Sequence, residues 1–241
     1  MDDRALLVFG ARNLGGAIVE HLAGEGWRAA AVARSEETLA RVRERGAVAI
    51  AADATKPDEV AAAIARARSE LGRLDLLVNA VSADRRSAGG PFGGGPLADA
   101  TLQGFHDWTV AVAEQAFVFL SESVRALREG GSGGTIIQVT GGSSRRAIPG
   151  RGLWSAAAHA VKAMTFAAAQ ELRAEGVHVA LLVVDATIES PKTAEFAKDT
   201  PRDALADMSQ IARAVQFLAE QEPRAMTHEL VVTPAGDRWV P

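Results

Sequence analysis

Ala5-Leu6-Leu7-Val8-Phe9-Gly10-Ala11-Arg12-Asn13-Leu14-Gly15-Gly16-Ala17 is the stretch that decides the fold. A continuous apolar run ends at a glycine, a short turn follows, and two further glycines open an amphipathic segment. Apolar residues at every position mark a strand covered on both faces, the habit of parallel sheets. Glycines at such a turn let the backbone approach a pyrophosphate, and the following helix offers unpaired N–H groups and positive potential. Strand, turn and helix in this order predict a dinucleotide-binding βα unit.

The same alternation continues outward. Strands are expected at 5–10, 28–34, 47–52, 74–80, 135–141, 177–184 and 229–233, with helices near 15–25, 36–45, 57–71, 99–129, 152–175 and 203–222. That rhythm predicts a Rossmann-fold α/β domain, a doubly wound parallel β-sheet with helices on both faces and right-handed crossovers. No boundary or repeat interrupts it, so residues 1–241 read as a single domain. Two glycine- and proline-rich loops, 84–96 and 141–153, follow the fourth and fifth strands. Ligands of open α/β sheets bind beyond the carboxyl ends of strands, which places both loops beside the expected site; the alternative is solvated linker.

Strand ends supply the candidate cofactor contacts. The second strand closes on Arg34, where NAD-binding chains place a carboxylate for the ribose hydroxyls; an arginine suits the 2′-phosphate of NADP. Arg12 in the glycine turn adds a second positive charge. Asp53-Ala54-Thr55 ends the third strand and Asn79-Ala80 the fourth, each where the adenine half of a dinucleotide would rest.

Composition narrows the rest. A formal net charge of −4 argues against non-specific nucleic-acid binding, which needs a basic face. Cysteine is absent, so disulfides and thiolate metal sites are excluded, and five scattered histidines without an H-x-x-x-H pair predict no metal. No apolar run reaches the roughly 18–20 residues that a membrane span needs, and the acidic start leads us to expect a cytoplasmic protein. Tyrosine, too, is absent from the chain.

Over nearly its full length the sequence resembles the short-chain dehydrogenase/reductase family. The family's T-G-x-x-x-G-x-G corresponds to Phe9 through Gly16, keeping Gly10 and Gly16 but placing Leu14 at the middle glycine. Leucine resists the positive φ that glycine permits, so this turn is expected to be wound differently. Asp53 matches the adenine-side aspartate, and Asn79-Ala80-Val81-Ser82 stands for N-N-A-G. From Gly134 to Leu172 the catalytic segment aligns without a gap, with Pro149-Gly150, Val161, Thr165 and Glu171-Leu172 in register.

In that register the resemblance implies that Gly141 replaces the catalytic serine, Trp154 the tyrosine and Ala158 the lysine. Lys162 is not a displaced copy of that lysine. The family's asparagine falls near Ala113, and the chain's two asparagines, Asn13 and Asn79, both lie elsewhere. Tyrosine in the family protonates the developing alkoxide; a positioned acid of this kind contributes roughly 10²–10⁴ in rate. His159 is rotated about 100° from the lysine position and reads as a packing or dimer contact. Ser143 and Ser144 could hold a substrate oxygen. Asp185 falls at a proline lining the nicotinamide side, as a pocket residue or a capped strand end. Ile188 and Ser190 match the V/I-x-T that touches the carboxamide.

Three readings follow: an atypical NADP(H)-dependent oxidoreductase, a non-catalytic nucleotide- or ligand-binding subunit, or a non-redox enzyme such as an isomerase, cyclase or dehydratase. Trp154 and the arginines before it suggest an aromatic-floored pocket for a planar anionic small molecule. Small apolar residues along 152–175 imply a homodimer or homotetramer built on that helix and on the one near 99–129.

Overall fold

The computed structural model of the chain describes residues 3–81, 95–131 and 133–237. In chain order the elements are β1 (Ala5–Phe9), α1 (Leu14–Gly24), β2 (Arg28–Ala33), α2 (Glu36–Glu44), β3 (Val48–Ala51), α3 (Pro57–Leu71) and β4 (Leu76–Asn79). There follow α4 (Leu102–Phe105), a π-helical turn (His106–Val110), α5 (Ala111–Gly130), β5 (Gly134–Gly141), α6 (Gly152–Leu172) and β6 (Val177–Val184). The chain continues through β7 (Thr187–Ile188), β8 (Leu205–Ala206), α7 (Met208–Ala219) and β9 (Glu229–Val232).

Seven strands form one sheet in the order β3-β2-β1-β4-β5-β6-β9, and every pairing is parallel. The order reverses between β1 and β4, and at such a switch point the two outgoing chain segments diverge and leave a crevice. Phe9 lies level with Val32 and Asn79, so β1 and β4 end together, while β5, level with Asn79 at Gln138, runs on to Gly141.

The apolar core is split by the sheet. One cluster joins alternate residues of the strands to α3, α5 and the end of α6; the other joins the remaining strand residues to α1, α2 and α7. Alternation along each strand sends successive side chains into opposite clusters, which explains the unbroken apolar runs. Phe9 meets Phe119 edge-on at 5.5 Å, a pairing worth roughly 0.5–1.5 kcal/mol beyond its burial, and fixes α5 over β1.

Two expected helices are shorter than their apolar pattern. The span 99–129 is broken: Thr101 accepts a hydrogen bond from the Gly104 backbone N–H at 3.0 Å and starts α4, which passes through the π turn into α5. The span 203–222 begins only at Met208, because Asp207 caps the backbone N–H groups of Ser209 and Gln210, and residues 205–206 instead pair with β7. The loop 84–96 lies outside the described residues as far as 94, as does Ser82.

Candidate active site at the strand switch point

The glycine turn is shaped by close approaches. Gly10 has φ +93°, and a Cβ there would stand 2.7 Å from the backbone of Ala80 and Val81. A Cβ on Gly15 would come within 2.4 Å of the Gly10 carbonyl oxygen, and one on Gly16 within 2.7 Å of the Ala11 oxygen. Leu14 is accommodated by a different route from the positive φ its alignment suggested. It is the first helical residue of α1, and its side chain is buried in the core beside Val8 and Ile18. Positive φ is confined to Gly10, and Gly15 takes the crowded place. Asn13 precedes the helix without a side-chain cap, so the leading N–H groups of α1 are left to a ligand.

Arg12 and Arg34 are exposed at the outer end of this crevice, one in the turn and one at the end of β2. Ser35 caps α2 by accepting from the Thr38 N–H and fixes the chain that carries Arg34. Asp53 follows β3. Burial raises its carboxyl, but hydrogen bonds from the Thr55 N–H and hydroxyl, with the charges of Arg34 and Lys56, hold it below the usual carboxylate range. Ala54 is packed into the core beneath.

Asn79 is buried and its amide is spent on protein contacts. Nδ2 donates to Gln115 Oε1 at 3.1 Å and to Gln138 Oε1 at 3.0 Å, while Oδ1 accepts from the Val81 N–H at 3.2 Å. What β4 offers a ligand is therefore the backbone at Ala80. Gln115 went unnoticed in the sequence. Position Ala113 carries no amide, but two residues on Gln115 occupies the face of α5 that meets β4 and β5. An amide among the apolar residues of the inward face of α5 is the signal that would have found it.

At the reacting end Gly141 closes β5 and a short turn, Gly142–Ser144, follows. Ser144 donates to the Gly141 carbonyl at 2.9 Å, so its hydroxyl is engaged; Ser143 is buried beside it. Asp185, at the end of β6, sits against Gly142 and is ion-paired with Arg146, one contact measuring 3.1 Å. Both of its oxygens accept from the Arg146 guanidinium. Neighbouring Arg145 and Lys162 both meet Glu229, at 2.8 and 2.6 Å, so Lys162 serves the β9 edge.

Trp154 lies half-buried on the first turn of α6 and meets Trp108 of the π turn edge-on, ring centroids 6.0 Å apart. Ala158, one turn later, is buried in the helix packing. His159 is exposed on the outer face, its Nδ1 bonded to the Ser155 carbonyl at 2.8 Å. Ile188 and Ser190 stand where the chain leaves β6 through β7; Thr193 donates to the Ile188 carbonyl and bonds Ser190. The geometry thus brings together a cradle for phosphates, two arginines and a reacting end without a proton donor among its aligned positions.

A short chain dehydrogenase family model matches residues 4–200. The chain belongs to that family. This short-chain dehydrogenase is 27% identical over 253 residues to an A-factor type gamma-butyrolactone 1′-reductase (1S-forming) of Streptomyces virginiae, covering 98% of this chain and 96% of the relative. It is 30% identical over 227 residues to a sorbitol dehydrogenase of Cereibacter sphaeroides, covering 90% and 84%. Among solved structures, an actinorhodin polyketide ketoreductase with NADPH superposes with a TM-score of 0.81 at 24% identity over 98% of both chains. The last likeness is one of fold. Among the described residues no helix is long and apolar enough to cross a membrane.

Proposed function

We propose that this short-chain dehydrogenase is an atypical NADP(H)-binding oxidoreductase, acting as one domain and lacking the usual proton donor. The observation that carries the reading is the uncapped start of α1 behind a turn in which Gly10, Gly15 and Gly16 leave no room for a Cβ. Such a cradle fits a pyrophosphate. Arg34 and Arg12 fit the 2′-phosphate, Asp53 and Ala54 the adenine side, Ala80 the adjoining ribose, and Ile188 the carboxamide. The solved relative with NADPH supports the same choice.

Bound NADPH supplies a hydride. This chain's residues would orient it: the α1 N–H groups would hold the phosphates, while the Asn79–Gln115–Gln138 amides fix β4, β5 and α5 to one another. Gly141, Trp154 and Ala158 neither donate nor relay a proton, so reduction of simple carbonyls is not expected to be efficient.

Isothermal titration with NADPH and NADH tests the reading. Wild-type protein should prefer NADPH, and Arg34→Ala should weaken NADPH alone by roughly tenfold, the worth of one charge-assisted hydrogen bond. Equal affinity for both, or none for either, would overturn it.

A further inference from the structure

β9 is the outermost strand of the sheet, and three parts of the reacting end hang on it. Glu229 takes Arg145 from the turn after β5 and Lys162 from α6, at 2.8 and 2.6 Å. The Val232 carbonyl accepts from the Asp185 N–H at 3.0 Å. Beyond the strand, the Gly236 N–H donates to the Asp203 carbonyl at 2.8 Å, just before β8. Whatever fastens the start of β9 therefore bears on the site at its far end.

That fastening is made by two crossed imidazoles. His178 on β6 reaches the Thr227 carbonyl through Nε2, and His228, the residue before β9, reaches the Val179 carbonyl through Nδ1, each at 2.9 Å. The rings meet edge-on with centroids 5.6 Å apart. A carbonyl only accepts, so these two nitrogens carry the hydrogens and each ring makes its bond while neutral. Gln221 closes the turn between α7 and β9 by exchanging hydrogen bonds of 2.8 and 2.7 Å with Thr227. His178 has 2% of its surface exposed, and its Nδ1 has no hydrogen-bond partner.

A second proton on His178 has to enter at that buried Nδ1. Burial opposes it first and the charge of His228 adds to this, against the Thr227 and Leu218 carbonyls, so the ring titrates below the ordinary 6.5. Among the described residues His228 is the one charged group that acts on it; α7 presents the Leu218 carbonyl, and β5 stands level with Thr135. The nearby carboxylates Glu220 and Glu229 are paired, with Arg4 and with Arg145 and Lys162. Once the segment swings open, the ring regains its ordinary value in water. Opening and proton uptake are thus linked. Below about pH 6.5 each pH unit favours the open form by up to about tenfold, until the closed ring itself titrates.

We propose that the His178–His228 clasp is an acid-sensitive latch: protonation of His178 releases residues 219–232, and the departure of Glu229 frees the turn that carries Arg145. The release is local. β9 pairs with one strand only, all four of its residues are half-buried, and residues 222–225 before it are exposed, so this segment opens at a smaller cost than the core.

Native-state hydrogen exchange read by mass spectrometry, with protection corrected for the pH dependence of free-chain exchange, tests the latch. In wild-type protein the protection of residues 219–232 should fall by about three- to tenfold between pH 6.5 and 5.5. At pH 5.5 it should lie at least about tenfold below that of β1 and barely respond to about 1 M urea, the mark of a local opening. Residues 142–151 should lose protection in step. His178→Gln keeps an N–H for the Thr227 carbonyl but takes up no proton, so protection in this variant should stay level across the same range. Three results would each overturn the proposal: an unchanged slope in the variant, an opening of 219–232 that shares the protection and urea response of β1, or a turn 142–151 that stays protected. The His178 ring of wild-type protein, followed by NMR, should titrate below 6.5; a value at or above it would sink the latch whether or not the variant folds.

Discussion

A Cβ on Gly142 would stand 1.7 Å from Oδ1 of Asp185, so the carboxylate occupies the space that any side chain at residue 142 would need. The two residues come from different strand ends, and their contact lets Arg146 reach across the turn to Asp185. Gly142→Ala should therefore displace the carboxylate and strain its ion pair, at a cost of about 2 kcal/mol given that Arg146 is partly solvated. Thermal melts should show a fall of about 4–8 °C. The double variant Gly142→Ala/Asp185→Ala should be more stable than the sum of the singles, because the clash is gone. Strict additivity would refute the coupling.

Gly141 is the opposite case. A Cβ there meets only the Val184 oxygen at 3.8 Å, so serine fits. The triple variant Gly141→Ser/Trp154→Tyr/Ala158→Lys should gain measurable NADPH-dependent reduction of a simple ketone, while the single changes gain little. Tyrosine without its lysine keeps a pKa near 10 and donates poorly at neutral pH. Efficient wild-type reduction of such a ketone would reveal an unrecognised acid, and Asp185→Asn and His159→Gln would be assayed first.

His178 gives the fold a defined acid sensitivity. Burial on β6 pushes its pKa below the ordinary 6.5, the charge of nearby His228 adds to this, and the Thr227 carbonyl, 2.9 Å from Nε2, opposes it. Above about pH 6.5 both folded and unfolded chains hold the ring neutral and nothing is lost. As pH falls below that value the unfolded chain takes the proton more readily, so stability declines, by at most ~1.4 kcal/mol per pH unit. Urea titrations of wild-type protein between pH 7 and 5 should show this slope, and His178→Asn should flatten it. An unchanged slope in the variant would place the sensitivity elsewhere.

Phe117 on α5 is 56% exposed, and Ala156, Ala163 and Ala167 form an exposed row on α6. If this surface of α5 and α6 joins copies into the expected homodimer or homotetramer, Ala163→Glu with Phe117→Glu should yield monomer. Light scattering at micromolar concentration measures this; a monomeric wild-type protein would contradict it.

What the sequence disclosed and withheld follows from range. The β1–α1 turn was readable because its strand, glycines and helix are contiguous, and the apolar runs placed all seven strands of the main sheet. The break at Thr101–Gly104 was hidden by an apolar pattern that continues through it. Gln115 was missed because only an asparagine near Ala113 was expected on that helix, in a register one residue loose. The Asp185–Arg146 pair joins positions 39 apart, and the Gly142 contact that forces it exists only once β5 and β6 lie side by side.

The Asn79–Gln115–Gln138 cluster consists of amides alone. Amides neither gain nor lose a proton anywhere between mild acid and mild base, so the bonds tying β4, β5 and α5 together are indifferent to acidity. A turnover profile that stays level across the neutral range would be the kinetic imprint of that floor. A bend in the profile would have its origin outside this cluster, in the incoming molecule or in one of the ionisable groups around it.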